Sequence, residues 1–313
     1  MDIRLRPLDE QDLPEADRIF RLAFGTFLGL PDPLAFGGDA DYVNTRWHAA
    51  PHATLGAYAG RELLGSNFAT HWGSFGFFGP LTVRPDRWEK GVARRLLDGT
   101  MQLFDDWGVR HSALFTFAHS PKHIALYQKY GYWSQHLTAV MALPVERADG
   151  ICPVATFGGL PDAQRPACLE ACRGLADAVY PGLDLGREIE AVARQDLGDT
   201  VLVHEGEELA AFAICHLGAG SEAGSGSAFL KFGAARPGNH APERFDSLLS
   251  ACQALAAVRG ARQLVAGVNT ARHGAYRRMI ARGFRTQMQG VAMQRHNEPG
   301  YNRDDCFVID DWR

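Results

Sequence analysis

A glycine, a small residue and several cations lie together near residue 90, and their types suit the binding of an anion. Gly91 and Ala93 stand at the start of a predicted helix, with Arg87, Lys90 and Arg94 around them. The first amides of a helix lack partners within it and lie at the positive end of its dipole, so they attract a phosphate group. A glycine there lets the backbone approach that group closely. Close packing between helices is the alternative explanation of the glycine and alanine taken alone.

A regular order of strands and helices is needed to position this loop, and the hydrophobic pattern predicts one. Apolar residues follow a helical period in some segments and alternate with polar residues in others. The predicted elements are a strand at 3–5, a helix at 13–24, hairpin strands at 54–58 and 62–71, a strand at 77–83, a helix at 91–108, a strand at 112–117, a helix at 121–130 and closing strands to 143. This order predicts an α+β fold, in which helices flank a mixed central sheet.

The pattern occurs twice along the chain. Adding 152 to a residue number carries Arg84-Pro85 onto Arg236-Pro237 and Gly131 onto Gly283. Upstream the offset falls to 146, and the additional residues of the second copy fall in a Gly/Ser/Ala loop at 217–227 that we interpret as a hairpin loop. We therefore predict two similar domains at 1–148 and 149–297, called the first and second half below, and a tail at 298–313.

Composition and charge exclude several classes of function. A formal net charge of −4 leaves no excess of basic residues to bind a phosphate backbone, so we expect no nucleic-acid partner. No apolar run approaches the roughly 20 residues of a membrane span, and the N-terminus lacks the apolar core of a secretory signal. The six cysteines form no CxxC pair, so we expect neither a metal cofactor nor a disulfide framework. We expect a globular protein of the cytoplasm.

Two segments of the first half resemble the GNAT superfamily of N-acetyltransferases. The first contains Val83-Arg84-Pro85 followed by Gly91-Val92-Ala93, and the second is Ala125-Leu126-Tyr127-Gln128-Lys129-Tyr130-Gly131-Tyr132. They are similar to that family's strand ending in Val-x-Pro, its glycine-rich loop at a helix start, and its closing helix with a Gly-Phe turn. One position departs from the pattern, because Trp88 stands where Gln or Arg is usual.

The resemblance implies an acetyl-CoA site in the first half and no metal. It implies that the pyrophosphate lies on a loop and helix start, and that strand amides polarise the thioester carbonyl. The residues implied are Leu81, Thr82 and Val83 on the strand and Trp88, Glu89, Lys90, Gly91, Val92, Ala93 and Arg94 on the loop and helix. Pro80 predicts the bulge at which this strand splays from its parallel neighbour to admit the pantetheine arm, although a simple turn at 78–80 is the alternative.

The implied reaction is direct transfer of an acetyl group to an amine. Tyr127 matches the family's general acid for the leaving thiolate, and packing in the core is the alternative that we expect for Tyr130 and Tyr132. No general base can be assigned, since the strand at 113–117 carries no glutamate and His123 stands where alanine is common. The open candidates are a water relay, Glu62, His71, His119, Asp41 and His48.

The acceptor pocket of relatives is built by the region equivalent to residues 24–48. This stretch contains aspartates among aromatic side chains, a mixture that suits a cationic amine on a small molecule or peptide. The residues concerned are Asp32, Asp39, Asp41, Phe27, Phe36, Tyr42 and Trp47. An ordinary surface loop is the alternative.

The second half lacks the features that define the implied site. The offset of 152 places Glu243 at the position of Gly91, Phe245 at that of Ala93 and Met279 at that of Tyr127. A glutamate repels a pyrophosphate and a phenylalanine adds bulk, so we expect this half to be structural or to complete the pocket of the first. The tail segment 307–310 is expected to add an edge strand.

Three functions remain open at this point. The sequence favours an N-acetyltransferase acting on an unidentified amine. An acyltransferase with another acyl-CoA or acceptor, and a non-catalytic acyl-CoA sensor, are the alternatives. The oligomeric state is not predicted.

Overall fold

The computed structural model describes residues 2–146 and 154–313, and a similar order of elements occurs in both ranges, except that β1 has no counterpart strand, one strand replaces β4 and β5, and β13 is additional. The first half contains β1 Arg4–Pro7, α1 Leu13–Phe27, α2 Val43–Ala49, β2 Thr54–Ala59, β3 Glu62–Trp72, β4 Phe75–Phe78, β5 Thr82–Val83, α3 Val92–Asp106, β6 His111–Thr116, α4 Pro121–Gln128 and β7 Tyr132–Pro144. The remainder contains α5 Arg165–Val179, α6 Gly186–Arg194, β8 Gly198–Glu205, β9 Glu208–Gly218, β10 Gly224–Ala235, α7 Ala241–Val258, β11 Gln263–Asn269, α8 His273–Arg282, β12 Arg285–Arg295 and β13 Val308–Ile309.

The internal repeat found in the sequence is a repeat of structure. Strand β9 begins and ends 146 residues after β3, and β6 and β11 begin 152 residues apart. Residues 219–223 of the Gly/Ser/Ala segment connect the antiparallel strands β9 and β10, as the predicted hairpin loop requires, and the rest of the segment belongs to these strands. The joint predicted near residues 147–152 lies outside the described residues, so the division at 148 stays a prediction.

A single mixed sheet runs through the described parts of both halves. Its strand order is β1-β2-β3-β4-β6-β12-β7-β11-β10-β9-β8, and β5 pairs with β3 while β13 pairs with β10. The central order means that the last strand of each half has been exchanged: β12 pairs with β6 of the first half, and β7 pairs with β11 of the second. The two halves are therefore joined by main-chain hydrogen bonds as well as by side chains.

The halves also share a hydrophobic core. Trp72 on β3 lies 5.5 Å, ring centroid to centroid, from Phe232 on β10, and both side chains are almost fully buried. One core cluster joins residues of β4, α5, α6, β9, β10 and the tail. Burial of large aromatic rings at this junction contributes strongly to stability, because each removes a large apolar area from water.

A chain of buried charges crosses the same junction. Arg46 on α2 donates two hydrogen bonds of 2.9 Å to Glu222 in the loop between β9 and β10, and Lys231 bridges Glu222 and Glu188 at 2.8 and 2.9 Å. Burial alone would raise the pKa of Glu222, but the positive charges of Arg46 and Lys231 hold it well below its usual range. Removing one member would leave a buried charge unpaired, which commonly costs about 3–5 kcal/mol.

No helix in the described residues is long and apolar enough to cross a membrane.

Candidate active site

A cleft opens where two parallel strands of the first half separate. Strands β4 and β6 pair in parallel from Phe75↔His111 to Phe77↔Ala113, and the chain then leaves β6 at Gly79 and Pro80, which a cis peptide bond joins. Strand β5 continues the course of β4 but pairs with β3. Its other edge faces a cleft with a volume of about 870 Å³. The break lies at the proline from which the sequence predicted it.

The glycine-rich loop lies at one end of this cleft. Gly91 precedes α3 with a φ of 83°, a left-handed conformation that favours glycine. No described side chain caps α3, so its first amides remain available to an anion. Trp88 donates from Nε1 to the carbonyl of Val83 at 2.8 Å, which fixes the loop to β5. The predicted site residues that line the cleft are Leu81, Thr82, Val83, Trp88, Glu89, Gly91, Val92, Ala93 and Arg94. The predicted site residue Lys90 does not line the cleft, and its ammonium group donates instead to the carbonyl of Asp86 at 3.1 Å.

Tyr127 lies in the wall of the cleft and differs from its neighbouring tyrosines. Tyr130 donates to Asp98 at 2.9 Å, and the hydroxyl of Tyr132 lies 2.8 Å from that of Ser112. Tyr127 makes no side-chain hydrogen bond with a described residue, and burial raises its pKa. Its phenol therefore stays protonated near neutral pH and has a donor to offer to a ligand.

None of the five side chains considered as general bases lines the cleft among the described residues, although His119 packs against Phe27 and Phe117, which do. Glu62 pairs with Arg84 and Arg87, His48 is hydrogen-bonded to the carbonyl of Asn44 at 2.8 Å, and His71 stacks against Trp107. Asp41 accepts from the amide of Asn44 at 2.9 Å and His119 is exposed. These contacts give four of them partners elsewhere in the protein.

His123 is the histidine that lines the cleft among the described residues. It precedes Tyr127 by one turn of α4, so the two side chains share a face of that helix. Its ring lies 4.9 Å from that of Phe27, and burial, with a smaller effect of Lys122, lowers the pKa of His123. The sequence had shown only that His123 replaces a common alanine, because its cleft position depends on how α4 docks.

Aromatic side chains of α1 and the following loop form the wall opposite β6. The rings of Phe20, Phe24 and Phe36 lie within 5.1–5.4 Å of one another, and Tyr42 adjoins Phe20 at 5.6 Å. Phe27, Phe36 and Tyr42 of the predicted acceptor region line the cleft. Its other predicted residues are held elsewhere: Asp32 caps Leu34, Asp39 accepts from Ser225, Asp41 accepts from Asn44, and Trp47 donates to Leu8.

Residues of the second half and tail close this end of the cleft. They are Glu222, Ala223, Ser227, Phe229, Gln263, Val265, Gln287, Met288, Trp312 and Arg313. From the sequence we expected this half to be structural or to complete the pocket. None of these residues was predicted to do so, since their position depends on the exchanged strands. The cleft is therefore built by both halves.

The first half also matches a known family by sequence. Residues 19–132 match the model of the acetyltransferase (GNAT) family, and this segment contains the glycine-rich loop, the strand break and Tyr127. Residues 19–132 form a GNAT domain. No curated protein sequence matches the chain.

Solved structures show that the GNAT-type architecture extends over the whole chain. A putative acetyltransferase from Pyrococcus horikoshii superposes with a TM-score of 0.67 at 16% identity, covering 99% of this chain and 95% of that one. A GCN5-related N-acetyltransferase from Sphaerobacter thermophilus gives a TM-score of 0.58 at 16% identity, covering 95% and 96%. A third, from Anabaena variabilis, gives 0.54 at 14%, covering 94% and 72%. At these identities the likeness shows the fold alone.

The equivalent of the GNAT cleft in the second half is filled by the tail. Strands β10 and β11 pair from Ser227↔Gln263 to Leu230↔Ala266, which is the register of β4 and β6 shifted by 152. Beyond that point β10 pairs with β13. Strand β13 thus takes the space beside β10 that corresponds to the cleft beside β5. The tail adds a strand, as predicted, but the strand lies inside the molecule rather than at an edge.

Side chains around this filled cleft fit the tail. Arg272, fully buried, donates to the carbonyl of Val308 at 3.0 Å and to the carboxylate of Asp310 at 2.7 Å. The ring of Phe307 packs 5.7 Å from that of Phe245, the residue at the position of Ala93. Phe245, the bulky residue at the position of Ala93, thus contacts the tail.

Within the described residues, no group of three or more His, Cys, Asp or Glu side chains is arranged to hold a metal ion.

Proposed function

We propose that the protein is an acetyl-CoA-dependent N-acetyltransferase whose reaction takes place in the cleft of the first half. The observation that carries this proposal is the free phenol of Tyr127 in a cleft that also contains the helix start at Gly91 and the open edge of β5. These three features supply what the reaction needs: an anion site, donors for a carbonyl, and an acid for the leaving group.

Each feature corresponds to a step of direct transfer. The amides at the start of α3 hold the pyrophosphate, and the edge of β5 at Thr82 and Val83 orients the thioester carbonyl. His123, neutral near pH 7 because its pKa is lowered, accepts the proton of the attacking amine. The amine nitrogen forms a bond to the acetyl carbon, the carbon–sulfur bond breaks, and Tyr127 donates its proton to the departing thiolate. Solvent then takes the proton from His123 and returns one to Tyr127.

A panel of amines tests this proposal. The protein is incubated with acetyl-CoA and aromatic, aliphatic, polyamine, amino-acid and peptide acceptors, while free thiol is followed by a chromogenic reagent and products by mass spectrometry. We expect thiol release that depends on the acceptor, together with a mass increase of one acetyl group on an amine nitrogen. Binding of acetyl-CoA without release above the hydrolysis background for any acceptor would favour a sensor and contradict the proposal.

A further inference from the structure

The tail leaves the filled cleft of the second half in a fixed direction. Gly267 on β11 allows this course, because a Cβ added there would lie 2.2 Å from the Cβ of Asp311. After Asp311 the chain reaches the cleft of the first half, where Trp312 and Arg313 form part of the wall. The second half thus anchors a segment whose residues 312 and 313 lie at the acceptor end of the cleft.

Arg46 fixes the end of this segment to the strand break of the first half. Its guanidinium donates to the main-chain oxygens of Arg313 and Gly79 while it pairs with Glu222. The Arg46 side chain is 5% exposed, so these bonds are protected from water. Arg46 therefore holds Arg313 beside Gly79, at the strand break where the thioester is expected.

The guanidinium of Arg313 keeps part of its hydrogen-bonding capacity free. It lies over the ring of Phe229 at 4.3 Å, and its Nε lies 3.0 Å from the carboxylate of Asp311. Its two terminal nitrogens donate to no described residue, whereas Arg46 and Lys231, the neighbouring cations, are occupied by Glu222 and Glu188. The carboxylate of Glu222 is engaged in turn and its side chain is fully buried. The terminal nitrogens of Arg313 are therefore available to a ligand, while its charge is shared with the nearby carboxylate of Asp311.

We propose that Arg313 binds the carboxylate of the acceptor, so that the substrate is an amino acid with an apolar or aromatic side chain. This inference rests on the proposed function. The planar pair of terminal nitrogens matches a carboxylate in two parallel hydrogen bonds. The aromatic rings of Phe20, Phe24 and Phe36 line the same cleft as Arg313 and suit an apolar side chain.

The test compares acceptors that differ only in the carboxylate. Phenylalanine is paired with phenethylamine and leucine with isopentylamine, and kcat and KM are measured for the wild type, Arg313→Gln and Arg303→Gln. Arg303 is a matched control because it lies on the same tail, is exposed and pairs with Asp305. We expect the wild type and Arg303→Gln to prefer the carboxylate by about 10- to 100-fold, mainly through KM, and Arg313→Gln to lose that preference.

Two results would overturn the assignment: no preference for the carboxylate in any pair, or an unchanged preference in Arg313→Gln. Equal turnover of both members of each pair would remove the assignment and leave the proposed function intact. If no amine is acetylated at all, the proposed function fails. Calorimetry of phenylalanine and phenethylamine against the protein with CoA then tests whether Arg313 binds a carboxylate. Tighter binding of phenylalanine that Arg313→Gln abolishes supports the anion site, and equal binding contradicts it. Unchanged melting temperature and CoA affinity in Arg313→Gln separate recognition from folding.

Discussion

At the scale of single residues, the sequence indicated candidate groups but not their surroundings. The resemblance to the GNAT family implied Gly91 and Tyr127, because its motifs lie within one loop and one helix, and the roles of both residues stay predictions. Three tyrosines within six positions had the same type, and their difference arises from tertiary contacts: Tyr130 and Tyr132 have partners, while Tyr127 has none among the described residues. His123 was not among the candidate bases for the same reason, because its position in the cleft also depends on tertiary contacts.

We predict that Tyr127→Phe lowers kcat by about 100-fold, which is a usual contribution of general acid catalysis. Phenylalanine keeps the shape of the ring but cannot protonate the thiolate, and no other described residue loses a hydrogen bond. Steady-state kinetics, acetyl-CoA affinity and the melting temperature are measured together, with Tyr130→Phe as the control. Wild-type turnover in Tyr127→Phe, under conditions where chemistry limits the rate, would assign this residue to packing.

His123 predicts a dependence of the rate on pH. Its pKa is lowered below the ordinary value of about 6.5, so the ring is neutral and able to accept a proton at pH 7, and it becomes protonated only at lower pH. We expect kcat/KM to fall as pH decreases below about 6.5 through this pKa.

His123→Gln should have a lower kcat/KM at neutral pH and should lose the fall in kcat/KM at acid pH. His119→Gln, four residues away and exposed, should keep that fall. The deprotonation of the substrate amine gives a separate limb at higher pH in all three proteins. An acid limb that persists unchanged in His123→Gln would show that another group, or water, accepts the proton.

At the scale of elements, the order of strands and helices could be predicted, whereas the pairing could not. Helices and strands follow from local periodicity, and the offset of 152 matched β6 with β11 to the residue. The exchange of β7 and β12 was not foreseen, because an alternating apolar pattern does not specify which strand lies beside it. The pair of Arg46 and Glu222, separated by 176 positions, was beyond local reasoning for the same reason.

The filled cleft of the second half makes a prediction at this scale. Gly267→Ala places a methyl group against Asp311 and should displace the tail, at a cost of about 1–3 kcal/mol typical of overpacking. Since Trp312 and Arg313 follow Asp311, we expect a higher KM for the acceptor and an unchanged affinity for acetyl-CoA. Chemical denaturation and steady-state kinetics measure the two effects.

Gly174→Ala is the matched control for Gly267→Ala, because its added methyl group meets nothing within 4 Å and lies inside α5. Alanine in a helix interior is more favourable than glycine by roughly 0.5–1 kcal/mol, so this variant should be slightly more stable. If Gly267→Ala leaves both the stability and the acceptor KM unchanged, the tail does not pack closely against β11.

At the scale of the whole molecule, the two structural repeats differ in what occupies the space beside the splayed strand. The first keeps an open cleft beside β5, and the second uses the equivalent space to anchor the tail that completes the first. The shared sheet and the buried charges hold both parts in one arrangement. This division explains why Glu243, Phe245 and Met279 are tolerated where the first half has Gly91, Ala93 and Tyr127.

The stoichiometry of acetyl-CoA binding tests this account most directly. Calorimetry of the full chain should give one site, because the cleft beside β5 is open while the equivalent space beside β10 is filled by β13. Gly91→Glu should weaken binding strongly, since it adds a negative charge beside the pyrophosphate at a position whose φ of 83° is unfavourable for a side chain. The reverse change, Glu243→Gly, should leave the single site unaltered. Two equivalent sites in the wild type, or loss of binding in Glu243→Gly with retention in Gly91→Glu, would contradict the account.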